Sequence, residues 1–209
     1  MATVLYIQAS PRGGRSKSIQ VADAFINAYI THHPGDTVEK LNLFEADLPV
    51  FGADAAAAKF KIPRNQPVNP AEQQVWSQVE AFIDQFKAAD KYVLATPMWN
   101  FSIPYRLKHY LDIIVQPRYT FTVTENGYEG LVTGKPLLAV YARGGAYPPG
   151  SAVEGYDMQI RYVEHIFGFM GFTTIQRLVV EPTQNQGEQA AQKAIEAALA
   201  NARILAENF

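Results

Sequence analysis

Three short stretches of this sequence carry residue types suited to holding a ligand, and none supplies a thiol. The first, Ser10-Pro11-Arg12-Gly13-Gly14-Arg15-Ser16-Lys17-Ser18, gathers hydroxyls, glycines and cations just before apolar residues at helical spacing. Unpaired N–H groups at the positive end of a helix suit a phosphate, and Ser10, Ser16 and Ser18 add short O–H donors beside Lys17. The stretch has neither the Gly-Lys-Ser/Thr ending of an ATP-binding loop nor the GxGxxG of a dinucleotide fold. A single phosphomonoester therefore fits it better than a triphosphate or a pyrophosphate.

The second stretch, Pro97-Met98-Trp99-Asn100-Phe101-Ser102-Ile103-Pro104, sets aromatic area and one amide between two prolines, which stiffen the chain by fixing φ. A rigid loop that exposes main-chain N–H groups beside Met98, Trp99 and Phe101 suits a planar heteroaromatic ring, whose faces are apolar and whose edge alternates donors and acceptors. In the third, Ala142-Arg143-Gly144-Gly145, adjacent glycines let a ligand edge come close to the backbone. His109 and His165 are the tempting acid–base residues, although a structural or solvated role is the commoner one for a histidine in a helical segment. Both fall in helical segments, and His32 and His33 sit at a helix end without HExxH or other metal-ligand spacing. No metal site is expected.

The elements that must position these loops alternate regularly. Residues 3–9 read as a strand, and Ile19, Ala22, Phe25, Ile26, Tyr29 and Ile30 mark the apolar face of a helix over 18–33. A second strand is expected at 37–42. Asn69 as N-cap, Pro70 at the first helical position and Glu72 in the first turn open a helix that carries Val75, Val79, Phe82, Ile83 and Phe86 and ends near Ala88. Strands at 91–96, 136–141 and 174–180 follow, succeeded by helices at 104–115, 156–170 and 188–207. Five βα units in a row imply a mostly parallel α/β sheet with helices on both faces, in one domain spanning 1–209. Two stretches interrupt the rhythm. One is 51–67, rich in Ala and Pro; the other is an insertion at 117–133, where alternation at Thr120-Phe121-Thr122-Val123 precedes an Asn126-Gly127 turn.

Composition narrows the chemistry. Lysine and arginine number 18 against 20 aspartates and glutamates, a net charge of −2 that offers no basic field to nucleic acid or anionic lipid. The absence of cysteine excludes disulfides, thiolate-bound metals, a thiol nucleophile and CxxC redox chemistry, so electron transfer would need an organic cofactor. The apolar runs are too short to span a bilayer. Met1-Ala2-Thr3 leads directly into a strand-like run with no secretory signal, which makes the cytoplasm the expected location.

In a doubly wound sheet of order 2-1-3-4-5, the loops after the first, third and fourth strands lie side by side at the carboxyl edge. That edge is the flavodoxin-type switch point, where ligands bind. A phosphate loop, a ring loop and a Gly-Gly loop meeting there describe FMN. These loops, together with Thr124-Glu125-Asn126-Gly127-Tyr128-Glu129-Gly130-Leu131-Val132-Thr133-Gly134-Lys135 and Phe167-Gly168-Phe169-Met170-Gly171, resemble the bacterial FMN-dependent NADH azoreductases, which also reduce quinones. The resemblance covers nearly the whole chain.

It implies that Ser10, Ser16, Lys17 and Ser18 hold the FMN phosphate. Pro97, Met98, Trp99, Asn100 and Phe101 would lie along the isoalloxazine, and Ala142, Arg143, Gly144 and Gly145 would border the ring. It further implies NADH or NADPH as co-substrate, a quinone or azo acceptor and ping-pong turnover. The implied assembly is a homodimer with active sites at the subunit interface, where the insertion around Phe121 would wall the pocket. Trp99 stands where many relatives have tyrosine, and Ala142 where many have serine, which removes a hydroxyl within reach of the flavin and implies altered redox tuning.

The flavin itself accepts and donates the hydride, so no side-chain nucleophile is needed. Asn100 and the Gly144-Gly145 backbone are the candidates to stabilise charge at the ring's pyrimidine edge. The alternative is a flavodoxin-type electron carrier with the same FMN site, against which the small net charge argues, because protein docking exploits a strong one-signed surface. Phosphatase chemistry on a similar fold would need a cysteine, and there is none.

Overall fold

The computed structural model describes residues 1–209. In chain order the elements are β1 (Thr3–Gln8), α1 (Lys17–His32), β2 (Thr37–Asn42), α2 (Ala53–Lys61), α3 (Pro70–Ala88), β3 (Lys91–Pro97), α4 (Tyr105–Ile114), β4 (Phe121–Thr124), β5 (Gly127–Gly130), β6 (Leu137–Ala142), α5 (Met158–Met170), β7 (Ile175–Val180) and α6 (Gly187–Leu205). The main sheet has five strands in the order β2-β1-β3-β6-β7, and every neighbouring pair is parallel. With the β4–β5 hairpin set aside, this is the expected 2-1-3-4-5 order.

The central strands are apolar on both sides because both sides are covered, the pattern of a parallel sheet whose crossovers are helices. Leu5, Ile7, Leu94, Ala139 and Tyr141 pack towards α3, α4 and α5 through Ile83, Phe86, Leu111 and Phe167. The alternate residues Val4, Tyr6, Val93, Leu138 and Val140 pack towards α1 and α6 through Phe25, Ile26, Ala198 and Ala202. Parallel pairing also gathers every strand's carboxyl end at one edge. The exits of β1, β3, β6 and β7 meet there.

Two boundaries follow from caps. Asn69 Oδ1 accepts the Glu72 N–H at 2.9 Å and Glu72 Oε2 accepts the Asn69 N–H at 3.0 Å, a reciprocal capping box that starts α3. Lys61 Nζ donates to Glu72 Oε1 at 2.5 Å, and that bond, followed by the Asn69 N–H, holds the Glu72 carboxyl below the usual carboxylate range. Helix α5 begins at Met158 rather than Tyr156, because Asp157 Oδ1 accepts the N–H groups of Gln159 and Ile160 at 3.1 and 3.0 Å.

The 51–67 stretch, which interrupts the rhythm in the sequence, contains α2, a helix that the sequence did not announce. Ala53-Asp54-Ala55-Ala56-Ala57-Ala58 is strong helix-forming sequence, and the prolines at 63 and 67 lie beyond the helix end. Only Ala55 and Ala58 of this helix are buried, so it carries no long apolar stripe. The insertion forms an antiparallel hairpin outside the main sheet, held to the end of α5 by Phe121 and Tyr128 on Phe169, with ring centroids 4.7 and 5.4 Å apart. No helix is long and apolar enough to cross a membrane.

Candidate functional site

The loop after β1 delivers three buried hydroxyls to the start of α1: Ser10, Ser16 and Ser18. Ser16 occupies the N-cap position without capping, because its Oγ lies 3.1 Å from Ser18 Oγ instead. The N–H groups of Lys17, Ser18 and Ile19 therefore have no acceptor, nor do those of Gly13 and Gly14, and no acidic residue lies in the first turn. Buried hydroxyls around unpaired amides at the positive end of a sixteen-residue helix form a cradle for a phosphate. Lys17 Nζ is bonded to Gln20 Oε1 at 3.2 Å, while Arg12 and Arg15 are exposed.

The loop after β3 owes its rigidity to a feature the prolines do not explain. Trp99 and Ser102 exchange two backbone hydrogen bonds of 3.0 and 2.9 Å, closing a two-residue turn in which Asn100 and Phe101 both have positive φ, +47° and +67°. Two left-handed central residues define the hairpin turn that normally takes Asn-Gly, and an aromatic residue there costs about 1–2 kcal/mol. The N–H groups of Asn100 and Phe101 have no acceptor. Phe101 lies against Tyr156 at 5.2 Å and Tyr147 at 6.5 Å, and Trp99 packs on Phe44 and Tyr105. Met98 N–H donates to Ala142 O at 2.8 Å, tying this loop to the third one.

In that third loop the N–H groups of Gly144 and Gly145 are also unpaired. The glycines make room for the loop after β7: a Cβ on Gly144 would stand 3.0 Å from Gln184 Oε1, and one on Gly145 3.1 Å from Asn185 Nδ2. Gly144 O accepts the N–H groups of Gln184 and Asn185 at 3.1 and 3.0 Å. Thr183, Gln184 and Asn185 thus join the three loops expected at this edge. Their signal was their place after a fifth parallel strand, whose exit shares the same edge.

Arg143 is placed differently from its neighbours. Its side chain is 3% exposed, its guanidinium pairs with Asp157 and lies 3.0 Å through Nε from Glu181 Oε2, and it sits 5.3 Å over the Tyr147 ring. Its charge is committed to two carboxylates, and its part in the site is to hold the exits of β6 and β7 and the start of α5 together. Tyr141, on β6 beneath this loop, is buried with an unpaired hydroxyl, and burial pushes its pKa well up, which keeps it protonated.

Beside the ring loop, a cavity of about 830 Å³ opens between Trp99, Asn100, Ile103, Tyr105, His109 and Tyr162. His109 Nε2 is hydrogen-bonded to Pro49 O at 2.8 Å, and His165 is exposed on α5. Pro97, opposite Ala142 in the sheet, ends β3 just before the ring loop.

The chain matches the family model of the flavodoxin-like fold over residues 2–205. It is 55% identical over 209 residues, 100% of both chains, to the FMN-dependent NADH:quinone oxidoreductase of Nitratidesulfovibrio vulgaris (strain DP4). The crystal structure of azoreductase from Bacillus anthracis str. Sterne superposes with a TM-score of 0.93 at 32% identity, covering 100% of each chain. The FMN-dependent NADH-azoreductase from Bacillus anthracis str. Ames Ancestor, in complex with FMN, superposes with a TM-score of 0.88 at 30% identity over 99% of this chain and 100% of that one. Likeness over the full length, added to a parallel sheet of this order with its ligand-type loops at one edge, means that the chain belongs to the flavodoxin-like family of FMN-dependent NADH:quinone oxidoreductases.

Proposed function

We propose that this protein holds FMN and transfers electron pairs from NADH or NADPH to quinones and azo compounds, binding donor and acceptor in turn in one crevice. The observation that carries this reading is the set of unpaired donors at the carboxyl edge: hydroxyls and amides around Ser10, Ser16, Lys17 and Ser18, then amides at Asn100, Phe101, Gly144 and Gly145. When bound, the flavin supplies hydride exchange at its N5. The chain's own residues bind and orient. The serine loop would take the phosphate, and Met98 to Phe101 with Gly144 and Gly145 would take the ring. The strained Asn100–Phe101 turn is locked by Ser102, so its N–H groups need no reorganisation when charge develops at the ring edge.

The 830 Å³ cavity beside the ring loop favours turnover of small molecules over the electron-carrier alternative. The exposed Tyr105, Val123, Tyr128 and Tyr156 support a homodimer in which the hairpin walls the partner's pocket. This reading treats 1–209 as one doubly wound functional unit and places it in the cytoplasm, where nicotinamide cofactors are recycled.

Ser16→Ala and Ser18→Ala should each weaken FMN binding by about 1–2 kcal/mol, the cost of a lost hydrogen bond to a charged acceptor. Riboflavin affinity should barely change in the same fluorescence titration of apoprotein. Because the two hydroxyls are partners at 3.1 Å, the double variant should lose less than the sum. The test of the whole reading is an anaerobic visible spectrum before and after NADH, followed by initial rates against NADH at several quinone concentrations. Flavin bleaching and parallel double-reciprocal lines are expected. Intersecting lines would mean that both substrates bind at once and overturn the single-crevice mechanism.

A further inference from the structure

A second cavity, of about 550 Å³, lies beside the phosphate loop on the α1 side of β1 and β2; it shares Gly13, Gly14 and Ile19 with that loop and the helix start, while Gln8, Asp23, Lys40 and Glu45 have no part in the reading above. Gln8 lines it, 2% exposed, with its Nε2 near Tyr6 Oη but without an acceptor in hydrogen-bonding geometry. Tyr6 Oη donates to Asp23 Oδ1 at 2.9 Å, which fixes that carboxylate in the wall. Glu45, just past the end of β2, is exposed and makes no ion pair. Gly13 and Gly14 close the groove on the phosphate-loop side, with unpaired N–H groups and open space where a Cβ would stand.

Among the residues that line the groove Lys40 alone does not offset Asp23 and Glu45, so the carboxylate end disfavours a phosphate dianion and suits hydroxyl donors, while the cations Arg12 and Arg15 are confined to the glycine end. A carboxylate beyond the second strand, next to a glycine loop, is where dinucleotide folds bind a ribose diol. Arg12 and Arg15 flank the two glycines, exposed and without carboxylate partners, so two cations stay outside the monophosphate cradle and are free for the pyrophosphate of a second ligand.

We propose that this groove is the adenosine subsite of the hydride donor, with Asp23 and Glu45 accepting the ribose hydroxyls and selecting NADH over NADPH by repelling the 2′-phosphate. The proposal rests on the oxidoreductase reading. Arg12 and Arg15 take the pyrophosphate, which leads from the groove towards the flavin crevice.

Calorimetric titration of the FMN-loaded protein with ADP-ribose and with its 2′-phosphate tests the groove without turnover, since neither ligand carries nicotinamide. ADP-ribose should bind about tenfold more tightly than its 2′-phosphate, and Glu45→Lys should abolish or reverse that preference. The ratio of kcat/KM for NADH to that for NADPH should move in step. Gln8→Leu, which keeps the volume but removes the amide, should weaken ADP-ribose and leave FMN content intact. No ADP-ribose binding, equal binding of the two ligands, or an unchanged preference in Glu45→Lys would overturn the assignment. FMN content and NADH:quinone turnover of the unsubstituted protein report separately on the parent reading. ADP-ribose binding by a protein that does not turn over NADH would assign the groove to a free adenine nucleotide and overturn its role as donor subsite.

Discussion

Replacing Arg143 by methionine should lower folding stability by about 3 kcal/mol, because it leaves buried carboxylates without their counter-charge. Arg143 is 3% exposed and faces Asp157 and Glu181 together, whose side chains are 12% and 21% exposed. Asp157 keeps the Gln159 and Ile160 N–H groups that it caps, and Glu181 keeps the Tyr147 N–H, so neither would be wholly abandoned. That places the cost at the lower end of the range for a broken buried pair. In a chain of this length the thermal midpoint should fall by about 6–12 °C. Glu181→Gln should cost less, because its site is wetter and the neutral amide still accepts the Tyr147 N–H. The loss should also reach the flavin. The segment from Arg143 to Gly145 is held by this pairing and by Arg143 O accepting Thr183 N–H at 2.9 Å, so the methionine variant should purify with less FMN. An unchanged thermal midpoint would show that the two carboxylates are stabilised by something other than this guanidinium.

Gly130→Ala should undock the hairpin. A Cβ at Gly130 would stand 2.2 Å from Gly171 N, 2.4 Å from Gly171 Cα and 2.4 Å from Met170 C, all main-chain atoms that cannot swing aside. Gly171 is itself fixed as the left-handed cap of α5, with φ +111° and its N–H on Gly168 O at 3.0 Å. The strain must therefore be relieved by moving the hairpin, at about 1–3 kcal/mol or complete detachment. The contrast is Gly127, whose Cβ position is empty and whose only demand is a φ of +113°. Limited digestion with chymotrypsin should cut Gly130→Ala at Phe121 or Tyr128 much faster than the unsubstituted protein, and Gly127→Ala should fall between them. If the hairpin walls the acceptor pocket, Gly130→Ala should also raise the quinone KM while FMN content stays near normal. Equal cleavage rates would mean that the glycine contact does not hold the hairpin.

The strands and the loops that follow them were legible in the sequence because they depend on local periodicity and turn chemistry, whereas the strand order came from likeness to flavodoxin-type sheets. Thr37–Asn42 and Pro70–Ala88 stand where the pattern put them, the second because a capping box and a first-position proline are short-range chemistry. Helix α2 was not legible. Its nine residues bury only two alanines, and a helix that packs so lightly leaves no stripe to read.

Residue types alone marked Ser10, Ser16, Ser18 and Asn100 as candidates to hold a ligand, and only the tertiary structure decided how they are presented. Ser16 gives up its cap for Ser18, and Phe101 takes a φ that its own side chain disfavours because Ser102 closes the turn behind it. The commitment of Arg143 to Asp157 and Glu181, 14 residues and 38 residues further along the chain, was likewise out of sequence reach. Composition and spacing determine which elements form and which edge collects the loops. Which donors stay unpaired at that edge is set by contacts between segments far apart in the chain, and no local pattern encodes those.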